Sequence, residues 1–243
     1  MSLYIVSIPI GNPDDITFRA IQTFKQVDFL ICEELKNGRK LLKQLDIDKE
    51  LLCLNEHNES SETERIVQHL LEGKHAALFS DCGTPLFADP GTLLVERCHQ
   101  LGIRVVPVPG ASSLLAALVM SGVSLNRFHY AGFLSRNSND RRKEIRQLLS
   151  QSCPVVIYDA PYRLKPLLAD LKQELPLSWL VSLALSLTKS DEAFLYGSID
   201  DILKQTGPHP PKKEFVLIIS PPSPRKSKKH DKTKKKRKGR RVN

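Results

Sequence analysis

The 243-residue sequence has no apolar run approaching the roughly 20 residues needed to span a bilayer, so no membrane-spanning helix and no membrane partner are expected. Its N-terminus, MSLYIVSIPIGN, lacks a basic lead and a small-residue cleavage site after the apolar stretch. No signal peptide is expected, and the cytoplasm is the expected location. The five cysteines are widely spaced and form no CxxC pair, which leaves a disulfide framework and a zinc site without support, and no metal is expected. GxxxxGK[ST] is absent, and IPIGNPDD after the first apolar run is not GxGxxG, so ATP-driven chemistry and dinucleotide redox chemistry are disfavoured.

Net positive charge is confined to one segment. Twelve of the 36 Lys and Arg, and one of the 27 acidic residues, fall in 221–243. That segment carries +11, and the remaining 220 residues carry −2, against a total of +9. Such a low-complexity stretch cannot bury apolar surface, so it is expected to be a disordered basic tail. Clustered Lys and Arg suit the neutralisation of a polyanion; a solubilising terminus is the plainer alternative.

Strand-like and helix-like runs alternate along the body. LYIVSI, VDFLIC, HAALFS and RVVPV read as strands, and ELLCL as a further candidate. Between them, 17–26, 38–45, 91–101 and 111–122 have helical spacing. SSETERIVQHLLEG is expected to begin at a capping box of Ser61 and Glu64 and to stop at Gly73. This order predicts an α/β domain with a mostly parallel sheet over 1–122. A second series over 123–220 has adjacent strand signals near its end, which predicts a mixed sheet.

Three glycine- and proline-containing loops follow strands of the first series. They are Pro9-Ile10-Gly11-Asn12, the stretch Ser80 to Gly91 in LFSDCGTPLFADPG, and PVPGASS at 107–113. In open α/β sheets ligands bind beyond the carboxyl ends of strands. Glycine there lets a ligand approach the backbone, so the absence of a side chain at Gly83 is expected to leave ligand space. Asp81 and Asp89 can accept hydrogen bonds from a ligand's amines or hydroxyls, or from nearby backbone.

Taken in order, LYIVSIPIGNPDDIT, NEHNE, SDCGTPLFADPG, PVPGASS, AGFL and KKEFVLII resemble the tetrapyrrole-methylase-like class of S-adenosylmethionine methyltransferases over residues 3–220. Within that class they are similar to its ribosomal-RNA-methylating branch. The resemblance implies two α/β domains with S-adenosylmethionine in the cleft between them, usually as a homodimer. It implies 2′-O-methylation of a cytidine ribose in the decoding region of 16S rRNA, with that RNA or the small ribosomal subunit as partner. It also implies cofactor contacts from Pro9, Gly11, Ser80, Asp81, Gly83, Thr84, Pro85 and Asp89, from Gly110, Ala111 and Ser112, and from Tyr158 and Ala184. Two other readings stay open: an enzyme of the same fold acting on a tetrapyrrole or other small molecule, and a catalytically weakened RNA- or ribosome-binding module.

The sequence departs from the family's usual pattern in three places. EELK (33–36) stands for E-D-T-R, YDAPYR (158–163) for Y-E-S-P-H-R, and ALSLTK (184–189) for A-R-E-L-T-K. A ribose hydroxyl is a poor nucleophile and benefits from a base or a nearby charge. The candidates are His57 and Glu59 in NEHNE, Lys189 in LTK, and Glu33. Lys189 is a base only if burial lowers its pKa; as a cation it can hold phosphate or a developing alkoxide. Arg163, which stays charged, suits a phosphate clamp. Arg136, Arg141 and Arg142, in the basic stretch 135–146, are candidates for tracking RNA, and a solvated helix face is the alternative.

Overall fold

A computed structural model describes residues 1–222. The segment expected to be a disordered tail lies outside the described residues, apart from Pro221 and Pro222. Among the described residues no helix is long and apolar enough to cross a membrane.

The first sheet contains β1 (Ser2–Val6), β2 (Phe29–Cys32), β3 (Glu50–Cys53), β4 (His75–Leu78) and β5 (Arg104–Val108), in the order β3-β2-β4-β1-β5. All its neighbours are parallel. Helices cover both faces, so successive strand residues are buried on opposite sides. Leu30 packs with Phe24 and Leu42 on the face of α1 (Phe18–Gln26) and α2 (Leu35–Gln44). Ile31 packs with Ile66, Leu70 and Leu94 on the face of α3 (Glu59–Leu71) and α4 (Thr92–Gln100).

Two helix starts differ from expectation. The helix α3 begins at Glu59, not at a Ser61–Glu64 box. Its N-cap, Asn58, uses its side chain to close the preceding turn on Asn55 and Cys53, and Ser61 donates to the Asn58 carbonyl from inside the first turn. The helix α2 begins three residues before Gly38, which sits inside it: a Cβ there would meet Cys32 Sγ at 2.8 Å and Leu51 Cδ2 at 2.9 Å. The glycine lets the helix lie close on the sheet. At the other end of α3, Gly73 (φ +97°) provides the expected stop.

The second sheet is mixed, as expected. It contains β6 (His129–Phe133), β7 (Val155–Asp159), β8 (Leu180–Leu185), β9 (Ala193–Gly197) and β10 (Phe215–Ser220), in the order β6-β7-β10-β8-β9. Only β6 and β7 pair in parallel. One face packs on α6 (Ser138–Leu149), α7 (Leu164–Glu174) and α8 (Ile199–Thr206). The other face packs on α5 (Ser113–Ser121), where Leu114, Ala117 and Leu118 meet Val156, Ala184, Val216 and Ile218. The helix that follows β5 of the first sheet thus covers the second sheet and ties the two together.

Candidate active site

The strands β4, β1 and β5 are adjacent and parallel, so the three glycine-containing loops leave the same sheet edge side by side. A hydroxyl relay fastens them. Thr84 donates its one hydroxyl hydrogen to the Ala111 carbonyl (3.0 Å), which makes Ser7 the donor to Thr84 (2.9 Å). Ile8 N–H donates to the Gly83 carbonyl (2.9 Å), adding a backbone bridge. Gly83 has φ +73°, and a Cβ there would meet Ile10 Cγ2 at 3.0 Å. Backbone conformation and the contact with Ile10 both favour glycine here, and Gly83 also borders a compartment of the cleft, as a position expected to leave ligand space should. Gly110 is similarly set by Ser7, whose Cβ and carbonyl oxygen would lie 3.0 and 3.2 Å from an added Cβ.

The same edge meets the second sheet. At Gly11 a Cβ would collide with the Leu187 carbonyl oxygen at 2.6 Å and with Thr188 Oγ1 and Lys189 Cγ at 2.7 Å. Asn12 N–H donates to Thr188 Oγ1 (2.9 Å). Ser113 and Tyr158 share a 2.6 Å hydroxyl hydrogen bond, and Tyr130 donates to the Phe87 carbonyl (3.2 Å). Burial pushes the Tyr158 phenol up to about 12, so it stays protonated at neutral pH.

Three compartments of the cleft between the sheets share Cys82 and Glu214. The largest, about 650 Å³, runs from Pro9 and Gly11 along α2 to Lys189. A second, about 210 Å³, is walled by Thr84, Asp89, Ser112, Phe133 and Tyr158. The third, about 120 Å³, is lined by Ile10, Leu187, Phe215 and Val216. Lys189 is ion-paired with Glu214 at this junction. The loop that presents it is held in an unfavourable shape: Ser186 (φ 48°) and Thr188 (φ 63°) are both left-handed without being glycine. Ser186 N–H donates to the Glu214 carbonyl (2.9 Å), and Thr188 N–H to Glu192 Oε2 (2.7 Å). Such strain persists where surrounding contacts over-determine it.

Carboxylates gather on one side. Asp89 is raised above the usual range by burial, with the Asp81 charge adding to this and the Ser80 hydroxyl opposing it. Glu33 is raised to about 7, first by burial and then by the charges of Asp89 and Asp81. It lies behind the loop, beside Ser80, Pro85 and Asp89, and lines none of the three compartments. Asp81 accepts from Asn37 of α2 (2.6 Å). Asp159 Oδ2 is buried without a hydrogen-bond partner, in a residue that borders the 210 Å³ compartment.

The other sequence candidates scatter. His57 is exposed on its turn beside Glu56 (3.5 Å). Glu59 Oε1 accepts from the N–H groups of Gly91 (2.8 Å) and Leu93 (3.2 Å), so its carboxylate caps α4 from outside. Ala184, on β8, is buried against α5. Two arginine readings are corrected. Arg163 is buried, paired with Asp159 (3.1 Å) and donating to the carbonyls of Leu134 and Ser135, so its guanidinium has no free fork for phosphate. Arg141 is buried, held by Asp170 (2.5 Å) and by the carbonyls of Ser135 and Arg136. Arg136 is exposed, and Arg142 is tied to Gln173 and Asn139. Glu214, at the junction, was missed: its only sequence signal was its place in KKEFVLII. Arg141→Met is expected to cost about 3–5 kcal/mol of stability, because it leaves Asp170 buried and unpaired. Urea denaturation measures this; an undiminished midpoint with weakened RNA binding would return Arg141 to the RNA surface.

The family described as Tetrapyrrole (Corrin/Porphyrin) Methylases matches residues 2–203. The chain is 39% identical over 219 residues to "Ribosomal RNA small subunit methyltransferase I" of Pasteurella multocida (strain Pm70), covering 89% of this chain and 78% of that protein. It is 36% identical over 217 residues to the protein of the same name from Bacillus subtilis (strain 168), covering 89% and 74%. Among solved structures it is similar to uroporphyrin-III-C-methyltransferase from Thermus thermophilus, with a TM-score of 0.63 at 21% identity over 90% of this chain and 94% of that one. It is also similar to a diphthine synthase, with a TM-score of 0.69 at 13% identity over 91% and 90%. These two structural likenesses concern the fold alone.

Proposed function

Because the chain belongs to the tetrapyrrole (corrin/porphyrin) methylase family, we propose that it transfers the methyl group of S-adenosylmethionine to the ribose 2′-hydroxyl of a cytidine in the decoding region of 16S rRNA. The observation that carries this reading is the junction at Cys82 and Glu214, where a wide compartment meets two small ones beside an ion-paired lysine. The names of the relatives, aligned over about nine-tenths of the chain, support rRNA as the substrate.

The residues fit the cofactor. Sites for drug-sized ligands run to about 300–1,000 Å³ and combine apolar walls with a few polar groups. Ile10, Leu187 and Val216 supply apolar wall, Asp89 and Asp81 negative charge for a cationic ligand, and the unpartnered Asp159 Oδ2 an acceptor. When bound, S-adenosylmethionine supplies an already activated methyl group on a sulfonium. The protein must then align the acceptor and exclude water. Lys189, held by Glu214, presents positive charge at the solvent-reached junction, which favours the alkoxide character of a ribose oxygen as its proton passes to solvent water. An ammonium that already donates to a carboxylate supplies charge and does not accept the proton. The outward side of α5, where Leu115 and Val119 are exposed, supports the homodimer that belongs to this reading.

Calorimetry with S-adenosylmethionine across pH 6–8 tests the cofactor site. Burial first, and then repulsion from Asp89 and Asp81, raises Glu33 to about 7; a cation beside Asp89 offsets the repulsive part, so affinity should rise as pH passes through 7 and Glu33 ionises. Each unit by which binding lowers that pKa gives about a tenfold gain. Glu33→Gln should flatten the profile. No binding at any pH would overturn the proposal.

A further inference from the structure

The described body carries almost no net charge, yet one helix beside the cleft is entirely basic. The sequence of α2 is LKNGRKLLKQ, with four cations and no acid. Lys36, Arg39, Lys40 and Lys43 are spaced i, i+3, i+4 and i+7, which puts all four on one face. All four are exposed. Among the described residues none of them has an ion-pair partner, whereas Lys143 and Arg146 of α6 are each paired with a carboxylate. The opposite side of the helix is fixed on the sheet through buried Gly38 and Leu42.

The stripe borders the cleft. Lys40 and Asn37 line the 650 Å³ compartment that leads to Lys189, and Asn37 bonds Asp81 of the glycine-containing loop. Asp14 and Asp81 line the same compartment, so an anionic backbone is favoured along the rim of α2 and disfavoured on the compartment floor. Seven residue steps at 1.5 Å cover about 10 Å, close to the three axial steps of about 3.4 Å that separate four successive phosphates of one strand.

We infer that the outer face of α2 is the surface on which the RNA sugar-phosphate backbone docks, holding the chain while the target nucleotide enters the cleft. The inference rests on the rRNA reading and moves the RNA surface from the basic 135–146 stretch to a helix of the first sheet. Such contacts fix register and orientation and leave sequence choice to the cleft.

The test measures affinity of the full chain for small ribosomal subunits at several salt concentrations, with S-adenosylmethionine calorimetry as the fold control. Neutralising Lys36, Arg39 and Lys43 together to Gln, with Lys40 at the compartment left in place, should flatten the log–log salt slope by about 2, at about 0.7–0.9 per phosphate contact. It should leave cofactor affinity within about twofold. Neutralising Arg142, Lys143 and Arg146 should change the slope by less than about 1. An unchanged slope in the α2 variant, or a larger change in the α6 variant, overturns the inference while the rRNA reading stands. A wild-type chain that binds cofactor but shows no salt-dependent affinity for subunits overturns both. Loss of binding to phosphatidylserine vesicles in the α2 variant, with the subunit slope intact, would assign the stripe to a membrane surface and overturn the inference.

Discussion

Lys189→Ala is expected to lower single-turnover methyl transfer about 10²–10³-fold while S-adenosylmethionine affinity changes little. The magnitude is that of removing one preorganised charge or donor from developing negative charge. The motive is geometric. Lys189 stands where the compartments meet, is paired with Glu214, and lies on a loop with two left-handed non-glycine residues. His57→Ala is expected to do far less, because His57 is exposed on its turn and lines none of the compartments. Rapid-quench assays with subunits in excess decide between them. A near-normal rate in Lys189→Ala would remove the lysine from the chemistry, and a large loss in His57→Ala would restore the histidine.

Gly83→Val is expected to weaken S-adenosylmethionine binding by about 30- to 150-fold. A β-branched residue at φ +73° and contact with Ile10 together cost about 2–3 kcal/mol, and each 1.4 kcal/mol is tenfold. The strain acts on binding because Gly83 is bridged to Ile8 and adjoins Thr84, whose hydroxyl links the three loops. Gly102→Val is the control. Gly102 has φ +68° with open space around it, in the turn between α4 and β5. It should lose stability and keep its cofactor affinity. Equal losses of affinity in both variants would point to general unfolding. Unchanged affinity in Gly83→Val would move the cofactor away from this loop.

The fold was largely legible because burial on both faces of a parallel sheet leaves near-continuous apolar strands, such as HAALFS and VDFLIC, between helical spacings. Glycine and serine misled at the helix starts. Gly38 reads as a beginning and is a close-packing point; Ser61 reads as a cap, and Asn58 precedes the helix. At the site, the loops were legible because glycine, proline and aspartate mark them locally. The ion pairs were not. Arg141 and Arg163 look like solvated cations in RRKEIR and YDAPYR, and Asp170, which holds Arg141, lies 29 residues away on another helix. Glu214 reads as a charged approach to a strand, and only the packing of two sheets puts it beside Lys189. The departure at ALSLTK also has a structural setting: Leu185 is buried in the second core, and Ser186 takes a left-handed turn against Glu214.

The most direct measurement is mapping of ribose methylation on 16S rRNA after small subunits lacking the modification are incubated with the protein and S-adenosylmethionine. The account predicts one new site of resistance to alkaline cleavage, at a cytidine of the decoding region, absent when Lys189→Ala or Gly83→Val replaces the wild type at equal concentration. A methyl group found on a base or on another RNA, or cofactor binding with no transfer to the subunit, would contradict it.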